Sequence, residues 1–404
     1  MKPRKDVRAL LPTSGDRSQQ TIESRRLRKC RLPGTSFWLV VVLFAWLFSG
    51  VIFADNNLVF RDGGHFYHPL LKYVRASWYA GEIPLWNPYE NLGEPLAASP
   101  TSLVFYPGSV LLLLPIAYDS AYKIFILAHL MLAAWGAAWL ARQYGRSKAA
   151  ATLAALAYAG GGQVLFQYCN AVFLIGSAWL PFAWWAVDRL VTRRSWKAVF
   201  GLGATWALMF LGGDPHLAYN LGLAALLLVW LRRKQTRRSA PSAFWRRWAT
   251  SPLVMLVYAG LLSLSLAAVQ VIPALQLARR SERAAADVPL NVYDLARDAA
   301  AGELKNVGET PWYSVLIGKR CEPESHLGSV YRFSVEPWHL LEFVWPAIGG
   351  AFFPQNTRWF DLIPASKGSF WAISLYLGLL PAVLALTRMR FRRGTVKIRW
   401  LSWT

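Results

Sequence analysis

Long runs of apolar residues with almost no charge constrain the fold of this chain more than any other feature. The runs are 15 to 21 residues long, and apolar residues fill them instead of recurring along one helix face. A helix needs about 20 apolar residues to cross the hydrocarbon core of a bilayer. Only 16% of the residues are charged, against about a quarter in soluble domains. We therefore predict an all-α polytopic membrane protein.

Eight of these runs are predicted to span the membrane. They are residues 37–54, 122–141, 149–167, 171–191, 196–211, 217–231, 253–272 and 369–386. Two shorter apolar stretches, 103–117 and 341–353, contain prolines. We interpret both as re-entrant or interfacial segments, because irregular backbone at membrane depth must be buried within protein.

The distribution of charge predicts the orientation of the spans. Alternate threading assigns 30 of the 44 Lys and Arg residues, and only four of the 22 acidic residues, to the cytoplasm. The cytoplasmic segments are 1–36, 142–148, 188–197, 232–248 and 387–404. Lys and Arg are enriched in short cytoplasmic loops of membrane proteins. We therefore expect a multi-pass protein of the bacterial inner membrane, with both termini cytoplasmic. Since these loops account for the net charge of +22, no nucleic-acid partner is predicted.

The threading predicts seven parts of the chain. They are a basic cytoplasmic tail (1–36), a first span (37–54), a first extracytoplasmic loop with an interfacial helix and a re-entrant segment (55–121), a bundle of six spans (122–272), a second extracytoplasmic segment (273–368), a last span (369–386) and a basic cytoplasmic tail (387–404). The long polar leader before residue 37 favours a signal anchor over a cleaved signal peptide. Three distant cysteines without a CxxC pair argue against a disulfide framework and against a zinc site.

The first extracytoplasmic loop places a carboxylate, Asp62, in a bend close to the bilayer, directly before Gly63 and Gly64. A carboxylate at this position could act as a general base on an acceptor hydroxyl, or hold a divalent cation (Mg²⁺ or Mn²⁺) against a phosphate. It could also simply stabilise the turn beside the two glycines. His65 is a candidate second ligand, although hydrogen-bonding histidines are commoner at a wet interface.

A short helix is predicted to follow, over residues 69–80. Its apolar side chains recur at helical spacing on one face, which is typical of a helix lying flat on the membrane surface; they are Leu70, Val74 and Trp78. We expect Lys72 and Arg75 to face water.

Next comes a loop with three proline-anchored turns, which we predict to be rigid. Its Trp86 and Tyr89 could stack on a sugar ring or belong to the aromatic belt at the membrane surface. Glu82 at the start of the loop is a further candidate substrate-binding residue.

These motifs resemble the bacterial YfhO-like membrane-protein family. The resemblance depends on Asp62 with Tyr67-x-Pro69, the run Gly81-Glu82-x-Pro84-Leu85-Trp86-Asn87-Pro88, Gly93-x-Pro95, Tyr106-Pro107, Gly213-Asp214-Pro215-His216, and Gln270-x-x-Pro273-x-x-Gln276-Leu277 followed by Ser281-x-Arg283. It covers about residues 37–350. Asp214 stands where the family pattern has His, and His216 where it has Gln. Family members are usually longer, so the resemblance indicates a C-terminally truncated or a divergent member.

The family is related to the GT-C glycosyltransferases, which are integral-membrane enzymes that take sugars from polyprenyl-phosphate carriers. The resemblance therefore implies a GT-C-like fold and a catalytic acidic residue in the first outer loop, which corresponds to Asp62. Asp214 and His216 lie on a predicted outer tip and are candidate catalytic residues, although Asp214 before Pro215 could equally cap a helix. Arg279, Arg280 and Arg283 could hold a lipid phosphate, or only solvate a helix face.

The leading hypothesis is that the protein is a glycosyltransferase that uses a lipid-linked sugar donor. Membrane lipids are the other predicted partners. A transporter or flippase would require ionisable residues near the middle of the spans or paired half-repeats, and a non-catalytic scaffold is a third alternative. Because isolated carboxylates at membrane depth are costly, Asp62, Asp214 and the start of the second outer segment are predicted to converge.

Overall fold

The computed structural model describes residues 35–54, 56–90, 92–236, 251–280, 337–346, 348–351, 357–358, 374–388, 391–392 and 395–396. Most of the described residues are helical. The predicted tail 1–36 lies outside them except for its last two residues, and most of the second outer segment does as well.

The helices are arranged along the chain much as the apolar runs predict. They are α1 (Thr35–Leu47), α2 (Ser49–Ile52), α3 (His68–Tyr79), α4 (Tyr118–Gln143), α5 (Lys148–Ala159), α6 (Gly162–Leu165), α7 (Ala171–Arg193), α8 (Trp196–Leu211), α9 (Pro215–Thr236), α10 (Pro252–Leu266), α11 (Ala268–Arg280) and α12 (Leu379–Arg388). A π-helix covers Gly63–Tyr67, and 3-10 helices cover Pro100–Ser102, Pro107–Leu113, Phe166–Cys169 and Pro337–Phe343. Two antiparallel pairs of two-residue strands, β1 (Gly350–Ala351) with β2 (Thr357–Arg358) and β3 (Phe391–Arg392) with β4 (Thr395–Val396), complete the described part.

Two of the described helices, α4 and α7, are each long and apolar enough to cross a membrane. Two bent pairs raise that number to four if each pair forms one span. In one pair, α5 is followed at an angle of 50° by the segment Gly162–Cys169; in the other, α10 and α11 meet at 82°. Shorter apolar helices occur at Trp38–Leu47 and Trp196–Leu211. The all-helical architecture is thus observed, whereas the threading with eight spans remains a prediction.

Helix α7 is the centre of the packed core, since its side chains belong to two apolar clusters. Its first half packs with α1, α4 and α5, where Phe125, Leu130 and Ile175 are fully buried. Its second half packs with α8, α9 and α10 around Leu190 and Leu202. The N-terminal end of α7 is consequently fixed by neighbours from most of the described bundle.

The predicted interfacial helix forms as α3, and its Leu70 and Val74 are buried while Lys72 is exposed. The expectation that Arg75 faces water was wrong, because its side chain is only 8% exposed. Its Nη2 donates hydrogen bonds to the carbonyls of Leu114 (3.1 Å) and Ile116 (2.6 Å). Those carbonyls follow a 3-10 helix and flank Pro115. The carbonyl of Leu114 also accepts the N–H of Ile116 (2.7 Å) and the hydroxyl of Tyr79 (3.1 Å), so Arg75 shares this carbonyl with two other donors.

Replacing Arg75 with Met should lower the stability of the protein by about 1 kcal/mol, because it removes the guanidinium donor to the carbonyls of Leu114 and Ile116. Thermal unfolding in detergent measures this loss. Lys72→Met on the same helix is the matched control and should change stability by less than about 0.5 kcal/mol. Equal melting temperatures for both variants would contradict the role of Arg75.

Candidate functional site

Asp62 lies in a tight bend that its neighbours force on the backbone. Arg61 adopts the left-handed conformation (φ 49°), which is uncommon for a residue with a side chain. The π-helix Gly63–Tyr67 begins directly after Asp62 and continues into α3. A Cβ atom at Gly64 would lie 2.1 Å from the carbonyl oxygen of Val59, so only glycine fits there. The bend therefore holds Asp62 at a defined place, where it is partly buried.

The carboxylate of Asp62 is bonded to the beginning of α7. Nδ2 of Asn170, the residue before α7, donates a hydrogen bond to Oδ2 of Asp62 over 3.3 Å. The hydroxyl of Tyr67 donates to Oδ1 of the same amide over 2.8 Å. Burial, followed by the charge of Asp62, raises the pKa of Tyr67 well above its usual range. Tyr67 is consequently a constant donor, and the three side chains form one chain of hydrogen bonds.

Asp214 lies on the tip between α8 and α9, where its side chain is 2% exposed. Its Oδ1 accepts a hydrogen bond from the backbone N–H of Leu217 over 2.9 Å, which is the contact of a helix cap. Its Oδ2 packs against Gly176 of α7, where a Cβ atom would come within 2.1 Å. Burial raises the pKa of Asp214 to about 6, although the Leu217 N–H and the nearby His216 oppose the shift. His216 itself is exposed.

Asp62 and Asp214 therefore contact the same end of the same helix. Asn170 and Gly176 are six residues apart, which is about 9 Å along a helix axis. The charge of Asp214 is also one of the smaller causes that raise the pKa of Tyr67. Both carboxylates thus contact α7 near its beginning, while the predicted single pocket that they share with Arg279, Arg280 or Arg283 stays a prediction.

Gln270 of α11 reaches the same region from the end of the predicted span 253–272, three residues before the second outer segment begins. This residue is 2% exposed, and its Nε2 donates to the carbonyl of Ala97 over 3.0 Å. Three residues later, the carbonyl of Pro100 packs against the backbone of Gly213. The segment 97–100 thus connects α11 with the tip that carries Asp214.

The predicted phosphate-binding arginines lie further along α11. Arg279 and Arg280 are exposed at its C-terminal end, at least nine residues after Gln270. Arg283 lies outside the described residues. The contacts of α11 therefore place Gln270, rather than the two described arginines, against the segment that packs on the Asp214 tip.

The loop after α3 is held by hydrogen bonds within it and to α3. Asn87 and Glu94 exchange two backbone hydrogen bonds of 2.8 Å, and the hydroxyl of Tyr73 donates to the carbonyl of Trp86 over 2.9 Å. The rings of Tyr73 and Tyr89 meet edge to face at 5.7 Å. The side chains of Trp86 and Tyr89 are 53% and 84% exposed.

Glu82 is exposed as well, at the start of this loop. The contacts described for the loop attach all three candidate substrate-binding residues to α3 rather than to the Asp62 bend. They are accessible to a ligand from the solvent side.

The candidate metal ligands are Asp62 and His65, of which His65 is exposed. The neighbouring His68 is bonded through Nε2 to Oδ1 of Asp119 over 2.8 Å. Within the described residues, no group of three or more His, Cys, Asp and Glu side chains could hold a metal. A cation at Asp62 would therefore take most of its ligands from water or from a substrate phosphate, as Mg²⁺ often does.

Sequence reasoning missed the role of Asn170 and gave Tyr67 no role of its own. Tyr67 is part of the Tyr67-x-Pro69 motif, which was a usable signal. Asn170 gave no such signal, because a polar residue at the boundary of an apolar run is normally a helix cap.

The family model described as bacterial membrane protein YfhO matches residues 36–317. The chain belongs to this family. The matched range of the YfhO family includes Asp62, Asn170, Asp214 and Gln270, so the whole region around the start of α7 lies within it. Searches of curated proteins and of solved structures give no match for this chain.

The pH dependence of stability should report the buried state of Asp214. A carboxyl whose folded pKa of about 6 exceeds its ordinary 3.8 binds its proton more tightly in the folded state. Stability should therefore fall as the pH rises from about 4 to about 6, by about 2 kcal/mol between pH ~4.5 and pH ~7. Asp214→Asn keeps the cap but removes this contribution.

Thermal unfolding of both proteins across this pH range measures the difference between them. Glu82→Gln, at an exposed carboxylate, is the control and should keep the wild-type slope. Parallel pH profiles for wild type and Asp214→Asn would show that the burial of Asp214 does not affect its titration.

Proposed function

We propose that this YfhO family protein is a GT-C-like glycosyltransferase. It transfers a sugar from a polyprenyl-phosphate-linked donor to a glycan or glycolipid of the cell envelope, on the outer face of the inner membrane. The proposal is supported by the family, which is associated with glycosyltransferase-like function. The observation that carries it is the Asp62 carboxylate, held at the end of the central helix by a chain of buried polar side chains.

In this proposal Asp62 is the general base. It accepts the proton of an acceptor hydroxyl, whose oxygen then bonds to the anomeric carbon of the sugar. The bond from that carbon to the carrier phosphate breaks, and the phosphate leaves with the bonding electrons. General base catalysis of this kind contributes about 10²- to 10⁴-fold to a rate.

The remaining candidates have supporting roles. Arg279, Arg280 and Arg283 bind the carrier phosphate, and Trp86 and Tyr89 stack on sugar rings with Glu82 accepting hydroxyl hydrogen bonds. Asp214 and His216 assist at the same end of the bundle. A divalent cation, if bound, is held by Asp62 with His65 and stabilises charge on the phosphate.

A transporter is disfavoured by the bonding of His129, an ionisable residue inside α4. Its Nδ1 is 2.7 Å from the carbonyl of Phe125, and its Nε2 is 2.8 Å from the hydroxyl of Tyr106. The indole N–H of Trp179 donates to that same hydroxyl over 3.0 Å. Both ring nitrogens are therefore used within the protein, and His129 connects α4 with α7 rather than with a passing substrate.

The proposal is tested by adding the purified protein to vesicles made from lipids of a strain that lacks the gene. These lipids contain the unused donor, so the protein should release free polyprenyl phosphate, detected by mass spectrometry. Boiled protein is the control. Equal release with active and boiled protein would refute the proposed function.

A further inference from the structure

Asn170 occupies the N-cap position of α7 but does not cap it. Asn is among the preferred residues at this position, because its side-chain oxygen can accept an N–H of the first turn, which stabilises a helix by about 1 kcal/mol. The side chain of Asn170 makes no such bond. By contrast, the side chains of Ser147 and Ser251 cap α5 and α10, and Asp214 caps α9.

The amide of Asn170 is directed to Asp62 and Tyr67 instead. A carboxylate can only accept hydrogen bonds, so the nitrogen of the amide must face Asp62 and the oxygen must face Tyr67. Turning the amide over would place two acceptor oxygens against each other. Asn170 and Tyr67 are each only 4% exposed, so water cannot replace either partner easily.

We infer that Asn170 is a positioning residue for Asp62. Its amide, oriented by Tyr67, occupies Oδ2 of the carboxylate and leaves Oδ1 to accept the proton of the acceptor hydroxyl. The inference rests on the role proposed for Asp62 above. It explains why Asn170, at the N-cap position of the centrally packed helix α7, makes no capping hydrogen bond.

The arrangement also ties the site to the core. Tyr67 belongs to the π-helix that follows Asp62, while Asn170 is continuous with α7. Gly63, next to Asp62, packs against the backbone of Cys169, the neighbour of Asn170. A shift of α7 would therefore move the amide and the carboxylate together, which keeps their geometry constant.

Reaction with dicyclohexylcarbodiimide tests this inference without any sugar substrate. The reagent modifies protonated carboxyl groups, and mass spectrometry of the peptides that contain residues 62 and 170 reports where it reacted. The full-length protein in detergent is labelled over a pH series. Asp62→Asn identifies the signal of Asp62.

Asn170→Asp places a second carboxylate against Asp62, and the two groups must then share a proton. Labelling is summed over the two peptides, and we expect its pH midpoint to rise by about one unit or more. At a given pH above the midpoint, this shift corresponds to about tenfold more labelling. Asn170→Ala removes the donor to the carboxylate and should shift the midpoint upward by less. Asn220→Asp, at an exposed position of α9, is the control and should leave it unchanged.

Unchanged midpoints in Asn170→Asp and Asn170→Ala, with normal size-exclusion profiles, would overturn the inference. If Asn170→Asp does not fold, Asn170→Ser replaces it, with the upward shift expected of Asn170→Ala. Labelling of a variant at a pH where wild type stays unlabelled supports the inference, and absence of labelling in every variant contradicts it. Shifted midpoints in a protein that transfers no sugar would refute the proposed function alone.

Discussion

Asp62→Asn should lower sugar transfer by at least about 100-fold while leaving expression and membrane insertion intact. Asn is nearly isosteric with Asp and can still accept the hydrogen bond from the Asn170 amide, so the bend should persist. It cannot take up a proton from a hydroxyl or bind a cation strongly. A carboxylate that acts as a general base accelerates a reaction by about 10²- to 10⁴-fold. If Asp62 only stabilised the turn, the substitution would change the rate of transfer little, because Asn and Asp rank equally in caps and turns.

Asp119→Asn provides the matched control for this experiment. Asp119 is exposed, belongs to the same predicted outer loop and is bonded to His68, so the same chemical change is made outside the proposed site. We expect transfer within about twofold of wild type, as for most surface substitutions. Near-normal transfer by Asp62→Asn at matched protein level would mean that Asp62 only stabilises the turn.

Gly64→Ala should also reduce transfer by about 100-fold, and unlike Asp62→Asn it should lower the melting temperature. The added Cβ would lie 2.1 Å from the backbone oxygen of Val59, and backbone cannot move away as a flexible side chain can. The bend must open, which displaces Asp62 from the Asn170 amide. A displacement of about 1 Å is enough for a 100-fold loss of rate, and the distortion itself costs about 1–3 kcal/mol.

The control for this substitution is Gly50→Ala in α2. A Cβ there meets only the side chain of Asn56, at an ordinary contact distance of 3.5 Å. Transfer and melting temperature should both stay near wild type. A Gly64→Ala protein with wild-type stability would contradict the close approach of Gly64 and Val59.

The helices that sequence predicts best are those in which apolar residues run without interruption. The run 171–191 forms α7 (Ala171–Arg193), and the run 196–211 forms α8 with the same bounds. Here burial in lipid or protein requires a helix, because only a helix satisfies every backbone polar group from within. The sequence of such a run is therefore sufficient to predict the helix.

The runs 149–167 and 253–272 were each predicted as one helix and are bent instead. The first breaks at Gly160 and Gly161, where the lack of side chains makes the helix weak. The second bends at Ala267 and thereby brings Gln270 to the carbonyl of Ala97. This contact joins residues more than 170 positions apart, so the local pattern of apolar residues cannot predict it.

The same limit applies to the site. Asp62 could be chosen from sequence because the family resemblance indicates an acidic residue in the first outer loop, whereas its residues alone equally allow a turn-stabilising Asp. Asn170 could not, since its partner lies 108 residues away and its position alone suggests a cap. Arg75 was assigned to water by helix periodicity, although its guanidinium is buried and bonded to two carbonyls that are distant in sequence, those of Leu114 and Ile116.

The lipids of a strain that lacks this gene, compared with those of its parent, test most directly whether the protein transfers sugar from a lipid carrier. Without the transferase, its donor has no consumer on the outer face of the membrane. Mass spectrometry should therefore detect accumulated polyprenyl-phosphate sugar and the loss of one sugar from an envelope glycan or glycolipid. The wild-type gene should reverse both changes, and the gene with Asp62→Asn should reverse neither. Identical lipid and glycan profiles in the deletion strain and its parent would contradict the proposed activity.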